Sequence, residues 1–272
     1  MPMKTSSFTV AVTFTATLAF AALTAFRSSD PANERPFLAS INSHASTMRI
    51  AYNGQHAVSR LTRIQRTDEG AYMDVRIPVY EQGRLVRTLA TDEENSSDGR
   101  IFSSFVYTQD QQRIARINYY RDEDVQGYDS LVYDNQGRIS ARYFYNRNAE
   151  GVFESHNYQA YTWNDAGNVS RMDNYGRMAA GGNFTLSSTV TYTYDQQPNP
   201  QKQVAGLCYI TDILPAFLSA NNILTEQLSH AGTDSRLTNT YTYTYNAADY
   251  PVSITARYGA NGPQETTELR YQ

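Results

Sequence analysis

One short unit recurs along this chain, and its chemistry admits few folds. It reads aromatic residue, Asp or Asn, two or three polar residues, Gly, a polar residue and a branched aliphatic. Tyr133-Asp134-Asn135-Gln136-Gly137-Arg138-Ile139 is the cleanest copy, and Trp163-Asn164-Asp165-Ala166-Gly167-Asn168-Val169 is a second. Tyr80-Glu81-Gln82-Gly83-Arg84-Leu85 is one residue shorter, and weaker copies start at Tyr52, Tyr107, Tyr194 and Tyr245. An Asp or Asn opening a tight loop can bond the backbone two residues on. Gly supplies the left-handed residue that closes a turn with a bulge. The unit is a β-hairpin turn.

The flanks alternate as half-buried strands do. Ile139, Ala141, Tyr143 and Tyr145 fall on one face, with Ser140, Arg142 and Phe144 on the other. Val252, Ile254, Ala256 and Tyr258 repeat that order, and residues 240–245 separate three Thr from three Tyr. A helical period would scatter these side chains around the axis. Tyrosine, at 22 copies against 11 Phe and 1 Trp, adds β propensity. The anchors lie 26–31 residues apart except for a last interval of 51. Six or seven hairpins give about 12–14 strands, more than an open twisted sheet of about ten usually holds. The expected fold is an all-β antiparallel meander of Tyr-rich hairpins in a strongly curved or barrel-like sheet, which also hides its edges.

The long last interval reads differently. Asn199-Pro200 ends the hairpin pattern, and Val204 to Leu228 is the most apolar stretch outside the N-terminal segment. Thr211-Asp212 predicts the cap of a short helix reaching Leu218, limited by Pro215, and Asn221-Asn222-Ile223 predicts a turn. The insertion, residues 200–236, is expected to plug or cover the core.

Between Lys4 and Arg27 there is no charge, and Phe8 to Phe26 is dominated by Ala, Val, Thr, Leu and Phe. That pattern predicts a secretory signal over 1–25, with cleavage after Ala21 or Ala25. Leu23-Thr24-Ala25-Phe26 matches a bacterial lipoprotein box with Phe26 in place of the lipid-bearing Cys, so release is expected rather than lipid anchoring. An aperiodic linker over 26–48 and one β-repeat domain over 49–272 follow. Cys208 is the only cysteine, so no intrachain disulfide exists, and its apolar surroundings suggest a small buried hydrophobe. A net charge of −4 speaks against nucleic acid as a partner.

The Tyr-Asp-x-x-Gly-Arg-Ile unit at 133–139 resembles the YD repeats of bacterial RHS-type surface proteins. The signal with its lipobox-like end, the aromatic–Asp–Gly–Arg turns, Asn199-Pro200 and Asn221-Asn222-Ile223 together resemble a second family more closely. These are exported Bacteroidetes proteins carrying a domain of unknown function with a porin-like β fold. The resemblance covers about residues 50–272 and implies a fold and an exported, envelope location. Departures are Phe26 in the lipobox and the turns at 107 and 245, where Gln112 and Asp249 stand near the Gly position. No catalytic residues follow from it.

The residues themselves offer no catalytic, cofactor-binding or metal-binding set. His44, His56, His156 and His230 are far apart, without metal-ligand spacing. Asp92-Glu93-Glu94-Asn95-Ser96-Ser97-Asp98-Gly99 is rich in oxygen ligands but has Ser97 at the sixth position and Ser103 where a closing Glu belongs, so a solvated loop is favoured. Asp122-Glu123-Asp124 reads the same way. The expected function is a non-enzymatic exported envelope or secreted module that binds glycan or protein. The alternatives are a hydrolase of unknown class and an outer-membrane barrel. The latter needs strands of about 9–11 residues with an apolar lipid face and aromatic girdles. Here the apolar faces run shorter, Tyr is spread along them, and the chain ends Arg270-Tyr271-Gln272.

Replacing the turn glycine, Gly137→Val, is expected to lower stability by about 1–2 kcal/mol, because a β-branched residue is strained at positive φ. An unchanged thermal melt would refute the bulged turn at 134–138.

Overall fold

The computed structural model describes residues 36–272 apart from residue 180. Strands β1 (Leu38–Asn42), β2 (Ser46–Tyr52), β3 (Val58–Thr67), β4 (Gly70–Glu81), β5 (Arg84–Thr91) and β6 (Arg100–Tyr107) come first. There follow β7 (Ile114–Arg121), β8 (Asp124–Tyr133), β9 (Ile139–Arg147), β10 (Phe153–Trp163), β11 (Val169–Gly176) and β12 (Thr185–Pro198). Three one-turn helices, α1 (Pro200–Gln203), α2 (Leu207–Ile210) and α3 (Pro215–Leu218), precede β13 (Asn221–His230), β14 (Arg236–Tyr245), β15 (Pro251–Tyr258) and β16 (Gln264–Tyr271). Every strand pairs antiparallel with its sequence neighbours, and β16 returns to β1, with Ile41 opposite Leu269, to close a 16-stranded barrel.

The sheet is thus all-β and closed, with two strands beyond the expected 12–14. Seven recurring turns join β2 through β15. The flanking strands β1 and β16 have no such turn on their outer side and so left no signature. Part of the expected linker belongs to the barrel, since β1 and the start of β2 lie within 26–48. The expected signal over 1–25, Phe26 and the linker as far as residue 35 lie outside the described residues.

The turns behave as their chemistry predicts. Asp134 Oδ1 accepts the backbone N–H groups of Gln136 and Arg138, and Gly137 sits at φ 77°. Asn53 and Asn246 make the same pair of bonds, and Asn164 accepts from Asn168 N–H. Where glycine is missing, His56 (φ 59°), Gln111 (φ 58°) and Asp249 (φ 62°) take the left-handed position. The residue at the 107 turn is therefore Gln111, one before Gln112.

The anchor aromatics carry a bond that the sequence pattern does not show. In each of the eight strand pairs from β1–β2 to β15–β16, the ladder stops two to four residues short of the plug-side start of the first strand. There a ring donor from the second strand takes a carbonyl of the first. Tyr52, Tyr80, Tyr107 and Tyr133 donate to the carbonyls of Leu38, Val58, Leu85 and Ile114. Trp163 Nε1 and the hydroxyls of Tyr194, Tyr243 and Tyr271 donate to Ile139, Val169, Ile223 and Pro251. All eight distances fall between 2.6 and 3.1 Å. In the seventh pair the bond belongs to Tyr243, while the hydroxyl of the expected anchor Tyr245 turns to the Asp195 carboxylate.

A bulge also corrects one face assignment. Tyr133 pairs Ile139 but Val132 pairs Ala141, so Ser140 is the extra residue. Ile139 joins the core, and beyond the bulge the order inverts: Arg142 points inward, while Tyr143 and Tyr145 face outward.

Sixteen strands enclose more space than wall side chains fill. Residues 199–220, between β12 and β13, fold into it as a plug, with Leu207, Ile210, Ile213 and Leu218 all at most 3% exposed. Thr211 closes α2 instead of capping a helix, and Pro215 opens α3 at the first turn, where a missing N–H costs nothing. The insertion ends at 220 rather than 236, because Asn221 pairs with Pro198 and starts β13 instead of a turn.

Tyr107→Phe removes one ring donor and strands the Leu85 carbonyl, which should cost about 0.5–1.5 kcal/mol in urea unfolding. Tyr72→Phe, at a 57% exposed ring, should be neutral in the same assay.

Candidate functional site

Inside the barrel the polar groups converge on the plug. Asp129 Oδ2 on β8 accepts the Tyr119 hydroxyl at 2.7 Å, Arg142 Nε at 2.8 Å and Arg142 Nη2 at 2.7 Å. The Nη1 of the same guanidinium reaches Asp212 of the plug at 2.6 Å. Burial alone would depress the Arg142 pKa, but Asp129 and Asp212 outweigh it and hold the group firmly cationic. The Tyr161 hydroxyl bonds Gln159 Oε1 and the Ile213 carbonyl, and Ser219 Oγ takes the Val169 N–H. Asp129 already has three donors and Arg142 spans two carboxylates, so this cluster fastens the plug to the wall. It leaves no carboxylate pair facing an open cleft, as glycosidase chemistry needs.

Clefts remain around the plug. One of about 190 Å³ lies against β13–β16, where the Tyr241 hydroxyl donates to Glu226 at 2.6 Å among Tyr243, Tyr258, Ile254 and Leu269. Two wider ones open at the turn end, of about 500 Å³ beside Tyr133, Trp163 and Phe217 and about 460 Å³ beside Tyr80, Tyr107 and Tyr209. Cys208 borders the first of these. Burial pushes its thiol up to about 11, so it stays protonated at neutral pH and is a weak nucleophile.

Two stretches of the outer face differ in kind, and between them β6 and β8 add exposed aliphatic side chains, Ile101, Val106 and Val132. Across β12 to β2 it is polar: Thr193 pairs Thr225, Thr225 pairs Thr240, Thr242 pairs Thr255, Ser253 pairs Glu268 and Ser40 pairs Arg49. Across β8 to β11 it is aromatic. Tyr143, Tyr158 and Tyr175 stand in one cross-strand row, with centroids 4.8 Å and 4.5 Å apart and planes within 19°. Tyr128 stacks on Tyr145 at 4.5 Å in the next row, and Phe184 and Phe153 close the patch edge-on. Arg116 lies over Tyr128 and Arg177 over Phe184. Each stacked pair contributes about 0.5–1.5 kcal/mol beyond burial. Because the rings stack on one another, their hydroxyls and edges form the exposed ridge, at the spacing of the strands.

The acidic run at 92–99 is a loop held across the barrel wall. Arg60 donates to the carbonyls of Glu94 and Ser96, and Arg49 pairs with the Glu94 carboxylate. Asp122 and Glu123 are the left-handed residues of a two-residue turn. His56 stacks on Phe37, and His156 lies 3.2 Å from Glu154. Among the described residues no group of three or more His, Cys, Asp or Glu is placed to hold a metal ion. Strict alternation puts Tyr143 and Tyr145 on the face of the buried Ile139; the bulge at Ser140 is what turns them outward.

No protein-family model matches the chain, and no curated protein matches it. Among solved structures, it is similar to a porin-like protein from Bacteroides uniformis, with a TM-score of 0.56 and 13% identity over 86% of this chain and 96% of that one. A porin-like protein from Bacteroides vulgatus aligns with a TM-score of 0.49 and 12% identity, over 88% of this chain and 99% of that one. At this identity the likeness bears on the barrel fold alone.

Arg142→Met would leave Asp129 buried without its cation and should cost about 3–5 kcal/mol in urea unfolding. Asp212 is 44% exposed on its side chain, so Asp212→Asn should cost at most about 1 kcal/mol.

Proposed function

We propose that the protein is a non-enzymatic, exported barrel of the cell envelope that binds a glycan, or a protein surface, on the aromatic ridge of β8–β11. The ridge of Tyr143, Tyr158 and Tyr175 carries this reading, being a contiguous stacked aromatic patch on a wall whose β14–β16 side is Thr, Ser, Arg and Glu. Phenols present a hydrogen-bonding tip on an apolar body, and flanking guanidinium groups add donors for hydroxyls and carboxylates. Such surfaces suit polyhydroxylated ligands and the aromatic-rich centres of protein interfaces.

Export rests on the charge-free segment between Lys4 and Arg27. The polar outer wall supports a water-exposed barrel over a lipid-spanning one, since a membrane barrel turns an apolar band outward. The plug fastened across the lumen favours a binding role over a conducting one. Kinship with the exported Bacteroidetes domain of unknown function, and more distantly with YD-repeat proteins, belongs to the same reading. It is supported by the turn pattern and by the barrel shared with the Bacteroides uniformis protein.

Glycan arrays and pull-downs from envelope extracts test the proposal. A partner is expected at micromolar concentration, lost on Tyr158→Ala and retained on Tyr72→Ala, with the circular dichroism of both unchanged. Absence of any partner at that concentration, or retention by Tyr158→Ala, would overturn it.

A further inference from the structure

The cleft against β13–β16 holds one formal charge and no partner for it. Its lining includes Glu226, Tyr241, Tyr243 and Tyr258 but, among the described residues, no Lys, Arg or His. Strand pairing builds the wall in rows. Glu226 on β13 lies between Tyr192 on β12 and Asn239 on β14, and Tyr258 on β15 extends that row. In the next row Tyr241, Ala256 and Glu265 stand side by side on β14, β15 and β16. Ala256 lines the cleft between two longer side chains, and its single methyl group leaves the space open. The plug supplies the far side with Pro200, Gln201 and Ala216.

Among the described residues, both donors to the Glu226 carboxylate reach the same oxygen. The Tyr241 hydroxyl lies 2.6 Å from Oε2 and Asn239 Nδ2 lies 3.5 Å from it, which leaves Oε1 to a ligand. Glu226 is only half-buried, so a molecule in the cleft can touch it. Asp195, at the other end of the same strand pair, is different. It accepts the N–H groups of Gln197 and Asn222, Asn222 Nδ2 and the Tyr245 hydroxyl, and needs nothing more. Burial raises the phenols of Tyr192, Tyr241, Tyr243 and Tyr258, and the Glu226 carboxylate raises each further, so all four stay neutral. Glu265 adds a second negative group beside Tyr258. Two lumen arginines face elsewhere: Arg142 spans Asp129 and Asp212, and Arg63 faces Asp74 and Asp212. Along β13 the next basic residue is His230, beyond Leu228. A structural account explains the Tyr241 bond but leaves the carboxylate without a cation.

We propose that this cleft binds a small organic ammonium ion, with Glu226 as its counter-ion and the rings of Tyr241, Tyr243 and Tyr258 as its walls. Aromatic rings attract cations, most strongly where water is displaced, and the carboxylate supplies the opposing charge. A hard inorganic cation fits poorly, because it takes six or more oxygens and this lining is largely aliphatic and aromatic. An apolar cavity of about 150 Å³ holds benzene, so one of about 190 Å³ suits an ion of about six to nine non-hydrogen atoms. The site lies inside the barrel and is independent of the outer tyrosine ridge.

Calorimetric titration of the whole protein tests the assignment with choline, n-butylammonium and the neutral choline isostere 3,3-dimethylbutan-1-ol, at constant ionic strength. Saturable binding of at least one of the two cations is expected, with a raised melting temperature and about tenfold weaker binding of the alcohol. Whichever cation binds more tightly identifies the head group as quaternary or primary. Glu226→Gln keeps an acceptor for Tyr241 and removes the charge. It should weaken cation binding about tenfold, with the melt of the free protein unchanged. Tyr258→Leu, at a ring that is 46% exposed and so tolerant of change, should weaken it about threefold. Tyr158→Ala should leave cation binding intact, which separates this site from the outer ridge. Failure of both cations to bind at millimolar concentration, equal binding of the alcohol, or cation binding that either Glu226→Gln or Tyr258→Leu leaves unaltered would overturn the proposal.

Discussion

Where the backbone ladder of each strand pair gives out, a phenol or an indole takes over. The strand pairs splay at the plug end, and eight carbonyls that would otherwise face the packed interior are met by rings of the neighbouring strand. A buried, unpaired carbonyl costs as much as a lost hydrogen bond. Phenylalanine could fill the same volume and would leave the acceptor bare. The requirement for an aromatic body with a donor at its tip explains why tyrosine, and once tryptophan, precedes the turns. It also explains how the wall can diverge enough to admit a plug without exposing its backbone.

The plug follows from strand number. Eight hairpins close a ring whose interior is wider than two layers of side chains, so the 51-residue interval between Tyr194 and Tyr245 supplies extra core. Its aliphatic residues meet the ring layer, and its one carboxylate in contact with the wall, Asp212, meets Arg142. Apolar packing supplies the adhesion and the ion pair fixes the orientation, since a buried pair adds little net stability while its disruption is expensive.

Much of this was legible in the sequence because turns are local. Asp134 and Gly137 lie within one loop, and their backbone chemistry can be read from five residues. Strand existence, the insertion and the curvature followed from those turns. What the sequence hid depends on register. A single extra residue at Ser140 turns Tyr143 and Tyr145 outward and Arg142 inward, and the same shift of register stands beside each of the seven anchor aromatics. The same holds for β1 and β16, which lack a recurring turn on their outer side, and for Tyr243, which replaces Tyr245 as the ring donor beside the insertion. The row of Tyr192, Glu226, Asn239 and Tyr258 joins residues from four strands and exists only once the pairing is known.

Polarity is unevenly distributed over the barrel wall. Charges on β3, β4, β8 and β9 turn inward, where Asp74, Asp129, Arg63, Arg76 and Arg142 meet one another or the plug. Across β14 and β15 the outer wall keeps Thr and Ser rows, and stacked aromatic residues gather in one patch on β8–β11. Side by side on neighbouring strands, Tyr143, Tyr158 and Tyr175 hide their ring faces against one another and leave their hydroxyls and edges exposed.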